Sequence, residues 1–327
     1  MRWDILFFAI LLIVIVWICF KNFWRVNLIF NKSVLENFTD DELFPLGAEY
    51  RDDYNRFVQK GLVHARNKRI VICSLVRDVE AEMQNIVRKC SSVTKFFKDY
   101  AIVIVENNSD DQTRKMLIDW HKLNPKVTVL GCGVNNPDYC DIPTAKVKTV
   151  AHGTDFNRIN KMAYLRNIYL DYVKDNLRHF DYIFMWDLDI LGSVYIDGIL
   201  HSIGKLEDNK DINLMCAYGI RNIGMFSVYY DSYAHVGVDE EYVHSRRNEH
   251  SINNRLQLLN LDRGSELIEC KSCFGGFAIY RISEIISKNL RYTQPGNELE
   301  CEHLTLNKGI TGKYVNPSMI NLVVLNE

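Results

Sequence analysis

Asp187-Leu188-Asp189 is where residue type and spacing in this sequence most directly point to chemistry. It follows Asp181-Tyr182-Ile183-Phe184-Met185-Trp186, an apolar, aromatic run of the kind that forms a buried strand. Two carboxylates two positions apart on an extended backbone leave the same side of it. Hard divalent cations such as Mg²⁺ and Mn²⁺ take oxygen ligands and keep positions open for phosphate oxygens. Such a pair at a strand end can therefore hold an ion against a nucleotide diphosphate. The alternative is a solvated acidic turn, because Asp-x-Asp is common by chance. The surrounding elements have to decide.

They form an alternating pattern. Arg69 to Val76 reads as a buried strand, and Asp78 can cap a helix whose apolar residues Val79, Met83, Ile86, Val87 and Cys90 recur at helical spacing. Tyr100 to Val105 is a second buried strand, and it ends in Glu106-Asn107-Asn108-Ser109-Asp110-Asp111-Gln112-Thr113. Ser109 and Gln112 match a capping box for the helix that follows. Lys126 to Leu130 is a third strand. A loop of about 25 residues comes next, long enough to suggest a functional or mobile segment. Arg158 to Val173 is a helix, Tyr195 to Ile203 another, and Ile212 to Tyr218 and Phe277 to Tyr280 are further strands.

Strand–helix alternation with apolar runs predicts an α/β domain over residues 69–327, with a Rossmann-type, mostly parallel sheet and helices on both faces. Ligands of such sheets bind beyond the carboxyl ends of the strands. Arg77 with Asp78, Glu106 to Asp111, and Asp187 to Asp189 all fall there. This convergence favours a site over an acidic turn.

The chain has 327 residues, 47% of them hydrophobic, and a formal net charge of -2. That suits a folded enzyme and argues against a nucleic-acid partner, whose binder would be clearly basic. Residues 1–25 are predicted to be one transmembrane signal-anchor. Ile5 to Phe20 is uncharged and apolar, near the short end of the roughly 17–25 residues that span a bilayer. Trp17-Ile18-Cys19-Phe20-Lys21 offers no small-residue cleavage site. Residues 26–68 read as a stem or linker containing a helix over Tyr50 to Arg66. Lys21, Arg25 and Lys32 lean toward a cytosolic catalytic domain, whereas Asn31-Lys32-Ser33 and Asn37-Phe38-Thr39 are glycosylation acceptors that fit a luminal domain in a Golgi/ER-type endomembrane.

Among the nine cysteines, Cys73 and Cys216 sit in strand-like runs and read as small core residues. Cys270 and Cys273 form a lone Cys-x-x-Cys without the second pair a zinc site needs. In an oxidising compartment Cys132 and Cys140 are candidates for a disulfide.

With these segments in place, the chain resembles the GT-A glycosyltransferases, which use a DxD motif. Glu106-Asn107-Asn108-Ser109-x-Asp111-x-Thr113 looks like their nucleotide-side turn. Arg158-Ile159-Asn160-Lys161-Met162-Ala163-Tyr164-Leu165-Arg166-Asn167 looks like the helix before the DxD strand. Four further segments are similar to the fungal capsule-associated α-1,3-mannosyltransferase family. They are Tyr230-Asp231-Ser232-Tyr233, Ser272-Cys273-Phe274-Gly275-Gly276, Glu300-Cys301-Glu302-His303 and Val315-Asn316-Pro317. The complete Asp-x-Asp, and Gly-Gly where Asn-Gly is expected, depart from that family and leave the donor sugar open.

The resemblance implies a GT-A-like fold and a set of roles. Asp189 and Asp187 would hold the metal, Mn²⁺ or Mg²⁺, with Asp187 shared with the ribose and His303 completing the shell. Arg166 would contact the diphosphate, or else anchor its helix through a salt bridge. Glu106 would take the ribose or base edge, or else cap the next turn; Arg77 would contact the nucleotide. Gly275 and Gly276 would let backbone approach the donor sugar, or else make a tight turn. Asp231 would orient the acceptor, and Glu300 and Glu302 are the carboxylates for proton transfer or charge stabilisation. His235 and Asp262 are reserves, and Asp138, Asp141, Lys146 and Lys148 lie in the long loop.

The implied function is metal-dependent transfer of a hexose, with mannose the first candidate. The donor would be GDP-mannose or a UDP-hexose, and the acceptor a hydroxyl of a glycan or glycoconjugate. A non-catalytic, membrane-tethered glycan-binding or scaffold protein of the same fold is the main rival. A sugar-nucleotide nucleotidyltransferase is disfavoured, because Ser74-Leu75-Val76-Arg77-Asp78-Val79-Glu80 carries no glycine.

Overall fold

A computed structural model describes residues 7–8, 10–17, 38–134, 156–190, 192, 194–223, 226–240, 261–293 and 301–323. Its strands are β1 (Arg69–Val76), β2 (Asp99–Glu106), β3 (Val127–Gly131), β4 (Tyr182–Trp186), β5 (Leu214–Ile223), β6 (Phe226–Tyr230), β7 (Val236–Gly237), β8 (Ile268–Ser272), β9 (Phe277–Arg281) and β10 (Lys313–Val323). Its helices are α1 (Arg51–Ala65), α2 (Met83–Thr94), α3 (Thr113–Leu123), α4 (Phe156–Asn176), α5 (Ile196–Asp208), α6 (Ile282–Ser287) and α7 (Glu302–Asn307).

The strands form one sheet in the order β3-β2-β1-β4-β9-β5-β10-β8-β7, with β6 paired to β5. The quartet β3-β2-β1-β4 is wholly parallel. Beyond it the expected mostly parallel sheet becomes mixed. β9 lies antiparallel between β4 and β5, β6 and β8 also pair antiparallel, and only β5 with β10 is parallel again. The reason lies in the connections. Parallel neighbours need a helical crossover, which α2, α3 and α4 supply in the first half. β5 instead turns back into β6 after a very short link.

β1, β2 and β4 are apolar on both faces where they are buried, as a covered sheet requires, whereas β3 at the edge is covered mainly on one face. Val71, Cys73, Val103, Val105, Ile183 and Met185 pack with Leu165 and Tyr169 of α4 on one side. Ile70, Ile72, Ile102, Ile104, Phe184 and Trp186 pack with Met83 and Ile86 of α2 and Ile199 of α5 on the other.

Helix boundaries moved where polar side chains found other partners. Asp78 does not cap α2. It takes a positive φ, a 3-10 turn over Glu80–Glu82 intervenes, and its carboxylate accepts from the Asp110 amide at 2.7 Å. The Ser109–Gln112 capping box also does not form. Ser109 Oγ instead accepts from the Asp78 amide at 3.1 Å, and Thr113 Oγ1 from the Val79 amide at 2.7 Å. Asp111 accepts from the Glu80 amide and Glu80 from the Gln112 amide, at 3.0 and 3.1 Å. The loops after β1 and β2 are thus laced to each other.

Helix α1, read from the sequence as part of the stem, packs closely on α5. A Cβ on Gly61 would lie 1.8 Å from the Leu200 carbonyl oxygen, and one on Gly204 would lie 2.2 Å from that of Phe57. Among the described residues no helix is long and apolar enough to cross a membrane. Residues 10–17 are helical and exposed, and the rest of the expected anchor, with the acceptor residues Asn31 and Asn37, lies mostly outside the described residues.

The crossing of α1 and α5 depends on both glycines lacking side chains. Gly204→Ala is expected to destabilise the domain by roughly 1–3 kcal/mol through overpacking against backbone. Urea unfolding of the purified protein measures it, and unchanged stability would mean the helices do not approach this closely.

Candidate functional site

The strand order of the parallel quartet reverses between β1 and β4, the position where open α/β sheets form a ligand crevice. Asp187 to Asp189 leave β4 there, and the Leu188 amide donates to Ser74 Oγ of β1 at 3.3 Å. On the other side the Asp187 amide donates to the Gly276 carbonyl at 3.0 Å. The Asp pair is thereby fixed to both neighbouring strands.

Gly275 and Gly276 both take positive φ, +68° and +76°. A Cβ on Gly275 would meet the Ala217 carbonyl oxygen at 2.2 Å, and one on Gly276 would meet Asn321 Nδ2 at 2.6 Å. The Gly-Gly pair is required by the turn into β9. Asn321 Nδ2 also donates to the Gly275 carbonyl at 2.7 Å.

Solvent reaches both aspartates, and Asp189 is the more open. Both are nonetheless surrounded closely enough for their environment to disfavour the charge, which describes a narrow recess. Burial raises the Asp187 pKa, against the pull of Arg166. Burial and the Asp187 charge push Asp189 up to about 7. Burial, with the charges of Glu302 and Asp187, pushes Asp231 up to about 7 as well. Asp231 accepts from the Tyr233 amide at 3.3 Å. The recess therefore holds more negative charge than its surroundings neutralise.

Arg166 is placed otherwise than a diphosphate contact requires. It is 3% exposed, and its guanidinium donates to Asp187 at 3.2 Å, Glu302 at 3.1 Å and the Tyr169 hydroxyl at 3.3 Å. It also lies 5.3 Å from the Phe274 ring centroid. The salt-bridge alternative describes it: it ties α4 to the β4 end and to α7. Glu302 is correspondingly buried and ion-paired, which removes it as a free base. Glu300 lies outside the described residues, as do Asp138, Asp141, Lys146 and Lys148.

His303 is likewise enclosed. Its ring stacks on Phe274 with centroids 3.8 Å apart and meets Tyr292 edge-on at 5.7 Å. Neither ring nitrogen has a hydrogen-bond partner, and burial followed by the Arg166 charge drives the pKa well below the ordinary histidine value. Among the described residues no three His, Cys, Asp or Glu side chains converge to hold a metal, so the expected shell of Asp187, Asp189 and His303 is not assembled. The aromatic clamp is the physical reason. Two carboxylates at a strand end still suit Mg²⁺ or Mn²⁺, which commonly bind through one or two carboxylates plus substrate phosphates.

Glu106 and Arg77 occupy the neighbouring strand ends. Glu106 is fully buried; one oxygen accepts from the Ser109 amide at 2.5 Å and the other from Arg114 at 3.1 Å. The turn-capping alternative describes it, with neither oxygen left for ribose. Arg77 is exposed and pairs with Asp78 at 3.1 Å and Asp110 at 3.6 Å. Of the reserves, His235 is part of a ring cluster with Tyr229, and Asp262 lies in the segment before β8.

A family model described as Cryptococcal mannosyltransferase 1 matches residues 69–305. The chain belongs to this family. Its members are glycosyltransferases by that description, in keeping with the capsule-associated resemblance read from the sequence. No curated protein matches the chain. Among solved structures, S. aureus TarS 1–349 in complex with UDP-GlcNAc is 10% identical with a TM-score of 0.46, covering 79% of this chain and 59% of that one. TarS 1–349 alone gives 10% identity and a TM-score of 0.44, over 78% and 60%. The mannosyltransferase PcManGT from Pyrobaculum calidifontis, in complex with GDP-Man and Mn²⁺, is 8% identical with a TM-score of 0.43, over 85% and 68%. The chain spans about three fifths of the TarS 1–349 length, and likeness at these scores decides nothing about the site.

In this mannosyltransferase-family chain, sequence reasoning missed several features of the site. Cys216 and Cys273 form a disulfide across 57 positions, tying β5 to the turn that carries Phe274. Cys216 is therefore more than a core residue, and no spacing rule links positions so far apart. Cys132 is also disulfide-bonded, and its expected partner Cys140 lies outside the described residues. Lys89 of α2 is buried, donates to the Ile190 carbonyl and feels the Asp189 charge; burial lowers its pKa to about 8. A lysine on the apolar face of α2 was the signal available for it.

If Arg166 is the ion-pair anchor described, Arg166→Met leaves Asp187 and Glu302 without their shared cation. The expected cost is about 3–5 kcal/mol of stability, measured by urea unfolding. A variant of native stability with only weakened donor binding would restore the diphosphate role.

Proposed function

We propose that this protein is a metal-dependent glycosyltransferase that moves a hexose, mannose by the family's description, from a nucleotide diphosphate sugar to a hydroxyl of a glycan or glycoconjugate. GDP-mannose is the first donor to test and a UDP-hexose the second. The observation that carries the reading is the pair Asp187 and Asp189 at the sheet's reversal point, raised in pKa and short of compensating positive charge. A non-catalytic scaffold would have no use for such a pair.

Asp187 and Asp189 would hold Mn²⁺ or Mg²⁺, which supplies positive charge against the leaving diphosphate. Asp231 would take the proton from the acceptor hydroxyl. A carboxylate lifted to about 7 is a better base near neutral pH than an ordinary one. Tyr230, whose surroundings include Asp187, Asp189 and Asp231, lines the same recess. Glu302 and Arg166 would act by holding Asp187 in place.

The test is nucleotide release from GDP-mannose and UDP-hexoses by the purified protein with Mn²⁺. Asp189→Asn is expected to lower the rate by about 10²–10³-fold, the several kcal/mol a metal supplies, with the fold retained. Full turnover in that variant, or in excess chelator, would remove the metal from the reaction.

We further place the domain in the lumen of an endomembrane compartment, behind the N-terminal signal-anchor. The Cys216–Cys273 disulfide supports this, since such bonds persist in oxidising compartments and are rare in the cytosol. Expression in sealed microsomes should give a protease-protected domain whose gel mobility shifts on enzymatic deglycosylation. A domain digested from the cytosolic side would overturn the placement.

A further inference from the structure

Asp187 and Asp189 can share a cation only while the turn that carries them keeps its shape. Three bonds fix its entry and its middle. The Asp187 amide donates to the Gly276 carbonyl at 3.0 Å, and the Leu188 amide to Ser74 Oγ at 3.3 Å. The Ile190 amide donates back to the Asp187 carbonyl at 3.3 Å, which closes the turn around Asp189. The exit is held from another element. Lys89 of α2, 101 positions earlier in the chain, donates from its ammonium to the Ile190 carbonyl.

Lys89 reaches the turn from the face opposite to Arg166. It lies with Met83, Ile86, Cys90 and Val93 on the buried side of α2. Leu188 packs in the same apolar cluster as Met83 and Ile86. Arg166 bonds Asp187 from α4, whose Leu165 and Tyr169 cover the other face of the sheet. The lysine thus acts on the backbone that follows Asp189, from beneath the turn. An ammonium on an apolar helix face costs desolvation, and a helix that only packed would carry an aliphatic residue there. Its bond to a carbonyl is charge-assisted, roughly twice as strong as a neutral one. Among the charged groups around it, Asp189 and Glu82 favour the cation and Arg88 opposes it.

We propose that Lys89 is a positioning residue for the metal site. Its bond to the Ile190 carbonyl holds the exit of the turn, so that the Asp189 carboxylate stays beside that of Asp187. This rests on the metal-holding role given above to the two aspartates. Lys89 acts through the peptide that follows Asp189 and not on the metal or the donor. With that peptide released, the two carboxylates no longer present their oxygens as a fixed pair. The loss falls on metal affinity, and partners that orient metal ligands typically contribute about 10–100-fold to it.

Mn²⁺ binding to the full chain in detergent, without nucleotide, is read from the paramagnetic resonance of the free ion. Lys89→Met should bind Mn²⁺ about 10–100-fold more weakly than the wild type. Lys89→Arg keeps the charge and the donor and should recover most of the loss. Val93→Ala trims the same face of α2 one turn further along, away from the Asp pair. It should melt at a lower temperature and bind Mn²⁺ as the wild type does. In nucleotide release from GDP-mannose, or from the UDP-hexose the wild type prefers, Lys89→Met should need more Mn²⁺ for half activity by the same factor. Its kcat and donor KM at saturating Mn²⁺ should stay close to those of the wild type. Unchanged Mn²⁺ affinity in Lys89→Met overturns the positioning role and leaves the metal reading standing. So does a Val93→Ala protein that loses Mn²⁺ equally, or a Lys89→Arg protein no better than Lys89→Met, since packing and not the bond would then be at work. Where Lys89→Met does not fold, Lys89→Gln gives the same comparison. Lys89-dependent Mn²⁺ binding in a protein that transfers no sugar supports the role and removes the transferase reading. A wild type that binds no Mn²⁺ overturns the role and the metal reading together.

Discussion

The buried guanidinium of Arg166 holds three parts of this molecule together. It joins α4 to the end of β4 through Asp187 and to α7 through Glu302. The Phe274 ring lies beneath it, and that ring packs on His303. Arg166 and Glu302, brought out of water with Asp187 at their edge, are tolerable only as a set, since losing one member strands the others. That constraint fixes where Asp187 points, and with it the geometry of the recess.

Charge balance then accounts for the rest of the site. Asp187, Asp189 and Asp231 share one enclosure, and the arginine nearest to them is committed to structure. Burial and mutual repulsion lift Asp189 and Asp231 to about 7. An enclosure of this kind favours a cation near Asp187 and Asp189.

Backbone geometry limits how the recess can be built. Gly275 and Gly276 turn the chain under Asp187 in a conformation that side chains resist. The disulfide from Cys216 to Cys273 anchors the start of that turn to β5. The loops after β1 and β2 are fixed by exchanged amide–side-chain bonds rather than by helix caps. Polar residues that resemble capping signals serve instead to lock two strand ends side by side.

The sequence by itself determined the strands β1 to β4, the helices between them and the position of the Asp pair at a strand end. These follow from local patterns: runs of apolar residues, helical spacing and a short acidic motif. It also identified the family through segments spread along the chain. Only the tertiary structure decided which charged residues are free. Arg166 and Glu302 are 136 positions apart, and Cys216 and Cys273 are 57 apart. Glu106 is held by Arg114 and the turn after β2, and His303 by an aromatic clamp. A residue's type states what it can bind, whereas its availability depends on neighbours that only folding brings into contact.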